Sequence, residues 1–399
     1  MNSRIFISCI IVAIGIISIP IFLLMAFNPL IAVLGFAIAL IICEISFRVA
    51  YWIKTGNKYI FQPKIPFKEI FVEPHPYLPY VNKKNFPTPR TTVATYPLNR
   101  ENRYTFGRYV TNNMGYINGP NGDRDIGIPK PKDLIRINCL GASTTGNYLD
   151  SGGEKFSYPL ELERILKEKF PDKKIEVNNC GVGGRTSTEI LIDFTLNLID
   201  TRPDIIVIYH GYNDLVPSLT PGFKSDYSHA KRNLGEVWPY YQISSFFPDL
   251  PIALYNFFVN NLIGGDIRQT LLESISRGKI DINSEFQGTQ TYKRNIEHIV
   301  NLCQSNGIAV FLSTFCHYMY EDVKNSKIHL KYHQGVLLEN SAMKEIAEKH
   351  AIPLVDNNVL FPYEDRYFVD SIHFSPEGMR LLAENISLPI IDYLKKINK

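Results

Sequence analysis

Leu134-Ile135-Arg136-Ile137-Asn138-Cys139-Leu140-Gly141-Ala142-Ser143-Thr144-Thr145-Gly146 is the stretch whose reading decides the fold. Seven residues, apolar but for Arg136 and Asn138, end at a glycine, which predicts a buried strand followed by a turn. The same theme recurs downstream. Ser157 to Phe170 carries apolar and charged residues at helical spacing, and Ile175 to Asn178 is a second short strand before the Gly-rich Cys180-Gly181-Val182-Gly183-Gly184. Thr186 to Ile199 reads as helix. Asp204 to Tyr209 is almost wholly β-branched, the composition of a strand covered on both faces. Tyr292 to Ser305 and Leu337 to His350 read as helices, each followed by a strand, Ile308 to Thr314 and Ile352 to Val355. Pro376 to Lys396 closes the chain as a helix. Strands alternating with helices predict an α/β fold, a doubly wound and mostly parallel five-stranded sheet over residues 133–399.

Two segments depart from that alternation. Residues 55–132 are rich in Pro, Asn, Tyr and Arg, and Pro74-His75-Pro76-Tyr77 and Phe86-Pro87-Thr88-Pro89 cannot be helical. Thr91 to Tyr96 and Tyr104 to Val110 have strand composition, so the segment is expected to be a connector with short strands. At about 216–287 an insertion carries many aromatics, among them Phe223, Tyr227, Trp238 and Tyr240. Loops of that length are rarely structureless. A helical subdomain is expected, its aromatics serving as core first and as substrate contacts second.

Residues 1–54 are of another kind. Ile5 to Phe27 holds no charge, and Leu30 to Phe47 is broken only by Glu44. Each run is close to the roughly 20 residues that cross a bilayer as a helix. A signal peptide would have a shorter apolar core, about 7–15 residues, and a small-residue cleavage site. A transmembrane anchor of two helices is expected, with one span plus a re-entrant segment as the alternative. Only Arg4 precedes these runs, whereas Arg48, Lys54, Lys58, Lys64 and Lys68 follow them. That bias places the following domain on the cytoplasmic side of the membrane.

Composition excludes several classes. The chain has 399 residues, 45% hydrophobic and 20% charged, with a net charge of only +3. There is no basic stripe with interleaved aromatics, so no nucleic-acid partner is expected. Six scattered cysteines form no Cys-x-x-Cys pair, which argues against a zinc site and against a disulfide framework. No Gly-x-Ser-x-Gly elbow, His-Glu-x-x-His or Walker motif is present. No metal and no cofactor are expected.

Four segments stand at strand ends or before the last helix, where open parallel sheets collect ligands. They are Gly141-Ala142-Ser143-Thr144-Thr145-Gly146, Asn179 to Gly184, Gly211-Tyr212-Asn213-Asp214, and Asp370-Ser371-Ile372-His373. Each alone has an ordinary explanation as a turn, cap or structural histidine. Their joint occurrence in this order resembles the blocks of the SGNH hydrolase superfamily, the GDSL esterases and lipases, over roughly Leu134 to Ile391. The resemblance implies a flavodoxin-like SGNH fold and a serine hydrolase. It makes Ser143 the nucleophile, His373 and Asp370 its catalytic partners, and Ser143, Gly184 and Asn213 the oxyanion hole. Gly181 and Gly183 are neighbouring candidates for the glycine. One departure is plain: the family's Gly-Asp-Ser reads Gly141-Ala142-Ser143 here.

The residue types suit that chemistry. A serine hydroxyl needs a base to take its proton. An imidazole with a pKa near ~6.5 does so at neutral pH, oriented by a carboxylate. Backbone N–H groups and an asparagine amide can meet the negative charge that develops on an acyl carbonyl oxygen. The expected reaction is hydrolysis of an ester-linked acyl group, an O-acetyl on a glycan or a lipid acyl chain, through an acyl-serine intermediate. The alternatives are a membrane-associated O-acyltransferase using the same triad and a non-catalytic membrane scaffold.

Overall fold

The computed structural model describes residues 71–87, 109–151, 154–231, 233–234, 280–321 and 323–397, with isolated positions between 33 and 42 and at 91, 92, 105 and 106. The chain divides into two compact units, Met1–Phe67 with Pro239–Thr270, and Lys68–Trp238 with Leu271–Lys399. The first unit lies almost wholly outside the described residues, and with it the two apolar runs expected to span a membrane. Among the described residues no helix is long and apolar enough to cross a membrane. Most of the aromatic insertion, residues 235–279, also lies outside them.

The second unit is built on five strands: β1 Leu134–Leu140, β2 Lys174–Asn179, β3 Ile205–Tyr209, β4 Ala309–Ser313 and β5 Leu354–Val355. They pair in the order β2-β1-β3-β4-β5, and every pairing is parallel. The longer helices among the described residues are α1 Tyr158–Lys169, α2 Ser187–Asp193, α3 Thr289–Ser305, α4 Lys327–His350 and α5 Pro376–Lys396. α1 packs on α5, while α3 packs on α2 and α4. Side chains alternate along a strand. Ile205, Val207 and Tyr209 therefore share a face, and they join Leu162 and Leu166 of α1 and Leu382, Ile386 and Ile390 of α5 in one core. Ile206 and Ile208 point the other way and are also fully buried. Two-sided burial is why β3 is apolar at every position.

Local signals set the helix starts. Ser157 Oγ accepts from the Leu160 N–H at 3.3 Å and Ser375 Oγ from the Gly378 N–H at 3.2 Å, each with a proline in the first turn. Differences from expectation lie elsewhere. α4 begins ten residues before Leu337. The helix expected over Thr186–Ile199 is α-helical only to Asp193, then widens to a π-turn, Phe194–Leu198, and tightens over Ile199–Thr201.

From Lys68 onward the connector segment falls in this unit. A hairpin of Leu149–Ser151 and Glu154–Phe156 joins Thr105–Phe106 and Thr91–Thr92 in an antiparallel four-stranded sheet. Asn118 donates to Asn178 Oδ1 at 2.8 Å and accepts from the Asn179 N–H at 3.1 Å. Arg124 pairs with buried Glu163 at 2.8 Å. The strand order reverses between β1 and β3, and at such a switch point a crevice opens beyond the carboxyl ends of the strands.

Candidate active site

At the end of β1 the backbone runs close to β3. A Cβ on Gly141 would lie 2.1 Å from Thr145 Oγ1 and 2.5 Å from the Tyr209 carbonyl oxygen, so only glycine fits. The chain then makes one helical turn, Ser143–Gly146, whose cap residue Ala142 offers no side-chain bond. Ser143 occupies the first helical position, where the N–H has no acceptor within the turn. Its side chain is half-buried, and Thr145 Oγ1 ties the turn back to the Tyr209 carbonyl at 3.2 Å.

The loop before α5 delivers the partners. Asp370 Oδ1 accepts from the N–H groups of Ile372 at 2.9 Å and His373 at 2.8 Å. Its Oδ2 lies 2.7 Å from His373 Nδ1, and His373 Nε2 lies 2.9 Å from Ser143 Oγ. A carboxylate only accepts, so Nδ1 carries the proton and Nε2 presents a lone pair to the hydroxyl. Phe368 and Phe374, both buried, anchor the loop on either side, and the Val369 N–H donates to the His373 carbonyl at 2.8 Å. Burial pulls the Asp370 carboxyl up, but the His373 charge, the bond to it and the two backbone N–H groups outweigh burial and hold it below its ordinary value. Burial pulls the His373 imidazole down, but the Asp370 charge and hydrogen bond overcome that and raise it.

The loop after β2 lies against the Ser143 turn. A Cβ on Gly181 would fall 2.2 Å from the Gly146 nitrogen, so two backbones touch there; one on Gly183 would lie 3.8 Å from Ser143 Cβ. Gly184 has φ +74°, a left-handed conformation that glycine adopts without strain. After β3, Asn213 Nδ2 donates to the Arg185 carbonyl at 2.9 Å. An amide has two N–H donors, so one remains for a ligand. Asp214 is not free to act on one. Its buried carboxylate accepts from the Ser187 N–H at 2.9 Å and meets His210 Nε2 at 2.8 Å, fastening β3 to the start of α2.

Hydrogen bonds thus join Ser143, His373 and Asp370, while Asn213 is fixed to the residue after Gly184. Two neighbours of this arrangement escaped the sequence reading. The Tyr80 hydroxyl donates to the Gly183 carbonyl, and Lys231 Nζ donates to the Gly184 carbonyl at 2.8 Å. Neither lies near the site in sequence, and no local pattern marks them. Among the described residues no group of three or more His, Cys, Asp or Glu is arranged to hold a metal ion.

Comparison with known proteins adds the following. Residues 139–381, more than half of the chain, match the model of the GDSL-like Lipase/Acylhydrolase family. An acetylxylan esterase of Xylanibacter ruminicola is 23% identical over 274 residues. That alignment covers 66% of this chain but only 45% of the relative, so the chain spans less than half of that protein. Among solved structures, an acetyl xylan esterase is 14% identical with a TM-score of 0.39, covering 63% of this chain and 97% of that one. A lipase/acylhydrolase from Enterococcus faecalis is 18% identical with a TM-score of 0.38, covering 65% and 96%.

Proposed function

Since the chain belongs to the GDSL-like lipase/acylhydrolase family of ester-hydrolysing serine enzymes, we propose that it is an esterase whose nucleophile is Ser143. The observation that carries this reading is the continuous chain of hydrogen bonds from Ser143 Oγ through both nitrogens of His373 to Asp370. Ser143 Oγ attacks the acyl carbonyl carbon as its proton passes to His373 Nε2. Asp370 holds the imidazole in the required tautomer and offsets the imidazolium charge. The carbonyl oxygen becomes an oxyanion met by the N–H groups of Ser143 and Gly184 and by the Asn213 amide. Collapse expels the alcohol with the proton from His373 and leaves an acyl-serine. Water, deprotonated by His373, then releases the acid and restores the hydroxyl.

A relative named for acetylxylan supports an O-acetyl group on a carbohydrate as the substrate, ahead of a lipid acyl chain. The test is a panel of acetylated sugars and long-chain p-nitrophenyl esters, run with the wild type and Ser143→Ala. Turnover of the acetylated sugars, abolished in Ser143→Ala while the melting temperature holds, is expected. Turnover that survives Ser143→Ala refutes the reading. We further propose that residues 1–54 anchor the protein in a membrane with the esterase domain on the cytoplasmic face. The two apolar runs and the basic residues after them support this. Cysteine-labelling from either side of sealed vesicles tests it.

A further inference from the structure

Two side chains from outside the family blocks grip the backbone of the loop that carries Gly184. Tyr80, buried and coming from the connector, donates its hydroxyl to the Gly183 carbonyl. Lys231 donates to the Gly184 carbonyl at 2.8 Å while both oxygens of Glu189 hold its ammonium at 2.9 Å. The Gly183 carbonyl and the Gly184 N–H belong to one peptide group. In a trans peptide these two bonds point in opposite directions. A donor fastened to the carbonyl therefore sets where the N–H aims. It also polarises the group and strengthens that N–H as a donor. Three of the four residues from Gly181 to Gly184 lack side chains, so little within the loop itself can fix this peptide.

Tyr80 is itself held in place. The Leu234 N–H donates to the Pro79 carbonyl at 2.7 Å. Asn233 Nδ2 reaches the carbonyls of His75 at 2.7 Å and Leu78 at 2.9 Å. Leu78 and Leu234 are buried beside them. The connector and the segment ending at Leu234 are stitched together, and each sends one donor to the glycine loop.

We propose that Tyr80 is a positioning residue for catalysis, with Lys231 as its auxiliary. The buried Tyr80 hydroxyl is engaged by the Gly183 carbonyl. It acts by aiming the Gly184 N–H at the oxyanion, and so rests on the oxyanion reading given above. A merely structural tyrosine would affect stability, or substrate binding and turnover alike. A positioning tyrosine lowers kcat and leaves KM in place, because the donor matters most once the oxyanion has formed.

The experiment compares wild type, Tyr80→Phe, Lys231→Met and Asn213→Ala with p-nitrophenyl acetate and with a trifluoromethyl ketone, whose adduct with Ser143 carries an oxyanion. Tyr80→Phe is expected to lower kcat about tenfold and to raise the ketone inhibition constant by a like factor, since outright loss of an oxyanion donor costs roughly 10²–10³. KM should stay within about twofold. Lys231→Met should follow with a smaller effect. Partial misfolding would also lower apparent kcat with KM in place, so the inhibition constant, which does not depend on the fraction of folded enzyme, decides. If Asn213→Ala loses kcat while Tyr80→Phe keeps wild-type kcat and inhibition, the positioning role is overturned and the oxyanion reading stands. An equal rise of KM and inhibition constant in Tyr80→Phe also overturns it. Full activity in Asn213→Ala removes the oxyanion reading, and this inference falls with it.

Discussion

Replacing Asp370 by Asn should disable the site while leaving its shape intact, and the loop geometry shows why. Asp370 Oδ1 accepts two backbone N–H groups, from Ile372 and His373. In the Asn variant that position must remain the carbonyl oxygen. Turning the amide over would set its NH₂ against two N–H groups, which is unfavourable in this part-buried loop. The NH₂ is therefore driven to the other side, toward His373 Nδ1. Nδ1 must then accept, so the ring proton moves to Nε2, where it faces the Ser143 hydroxyl. The base is lost. Only the oxyanion donors and substrate binding remain, and the expected fall in kcat is about 10³–10⁴, or about 4–5.5 kcal/mol of transition-state stabilisation. Steady-state kinetics with p-nitrophenyl acetate near neutral pH measure this, alongside thermal unfolding, which should barely change. An Asn variant within about tenfold of wild-type kcat, folded as well as wild type, would refute the tautomer argument.

Two other outcomes follow from the same geometry. Because Asp370 raises the His373 pKa, the acid limb of kcat/KM should lie above the ordinary imidazole value: the protonated ring cannot take the serine proton, so activity falls as pH drops through that point. The same shift acts oppositely on stability, present below the unfolded-state pKa and lost as pH rises through the folded one; a pH–rate profile with its limb at or below the unperturbed value contradicts both. Gly181→Ala would push a Cβ to 2.2 Å from the Gly146 nitrogen and 2.7 Å from its Cα, both backbone atoms that cannot swing aside. A loss of about 2 kcal/mol or more is expected, read as a melting temperature lower by about 3 °C or more, together with reduced kcat. An unchanged melting temperature would show that the two turns separate easily.

The sequence made the sheet legible where each residue's environment was strong and local. Leu134–Leu140 ends at a glycine forced by contact with β3, and Pro376–Lys396 starts at a serine cap followed by proline, so both elements are found at their predicted bounds. α4 was legible only in part. From Lys327 to Gln334 no position is fully buried, so there is no apolar stripe to read, and Leu337 and Leu338, which mark its apparent start, are exposed. α2 gives way to a wider turn just past Asp193, whose buried carboxylate takes Tyr116, Arg185 and Asn197 at once. Two of those partners are brought in by the turn before the helix and by the connector, and no helix periodicity records them. The five candidate site residues were recognisable because they sit in short motifs at strand ends or in the loop before the last helix. Tyr80 and Lys231 were not, because each meets the site through a backbone carbonyl, and any sequence offers carbonyls.

The hydrogen bond between Ser143 and His373 joins residues 230 positions apart. Contacts of that range form late, since long loops must close before they are rewarded. Recovery of enzymatic activity after denaturation should therefore trail the return of helical signal. A nascent chain that has not yet released α5 from the ribosome would be inert even with its sheet assembled. On the proposed reading, ester hydrolysis would thus report that the Ser143 turn and the loop before α5 have come together.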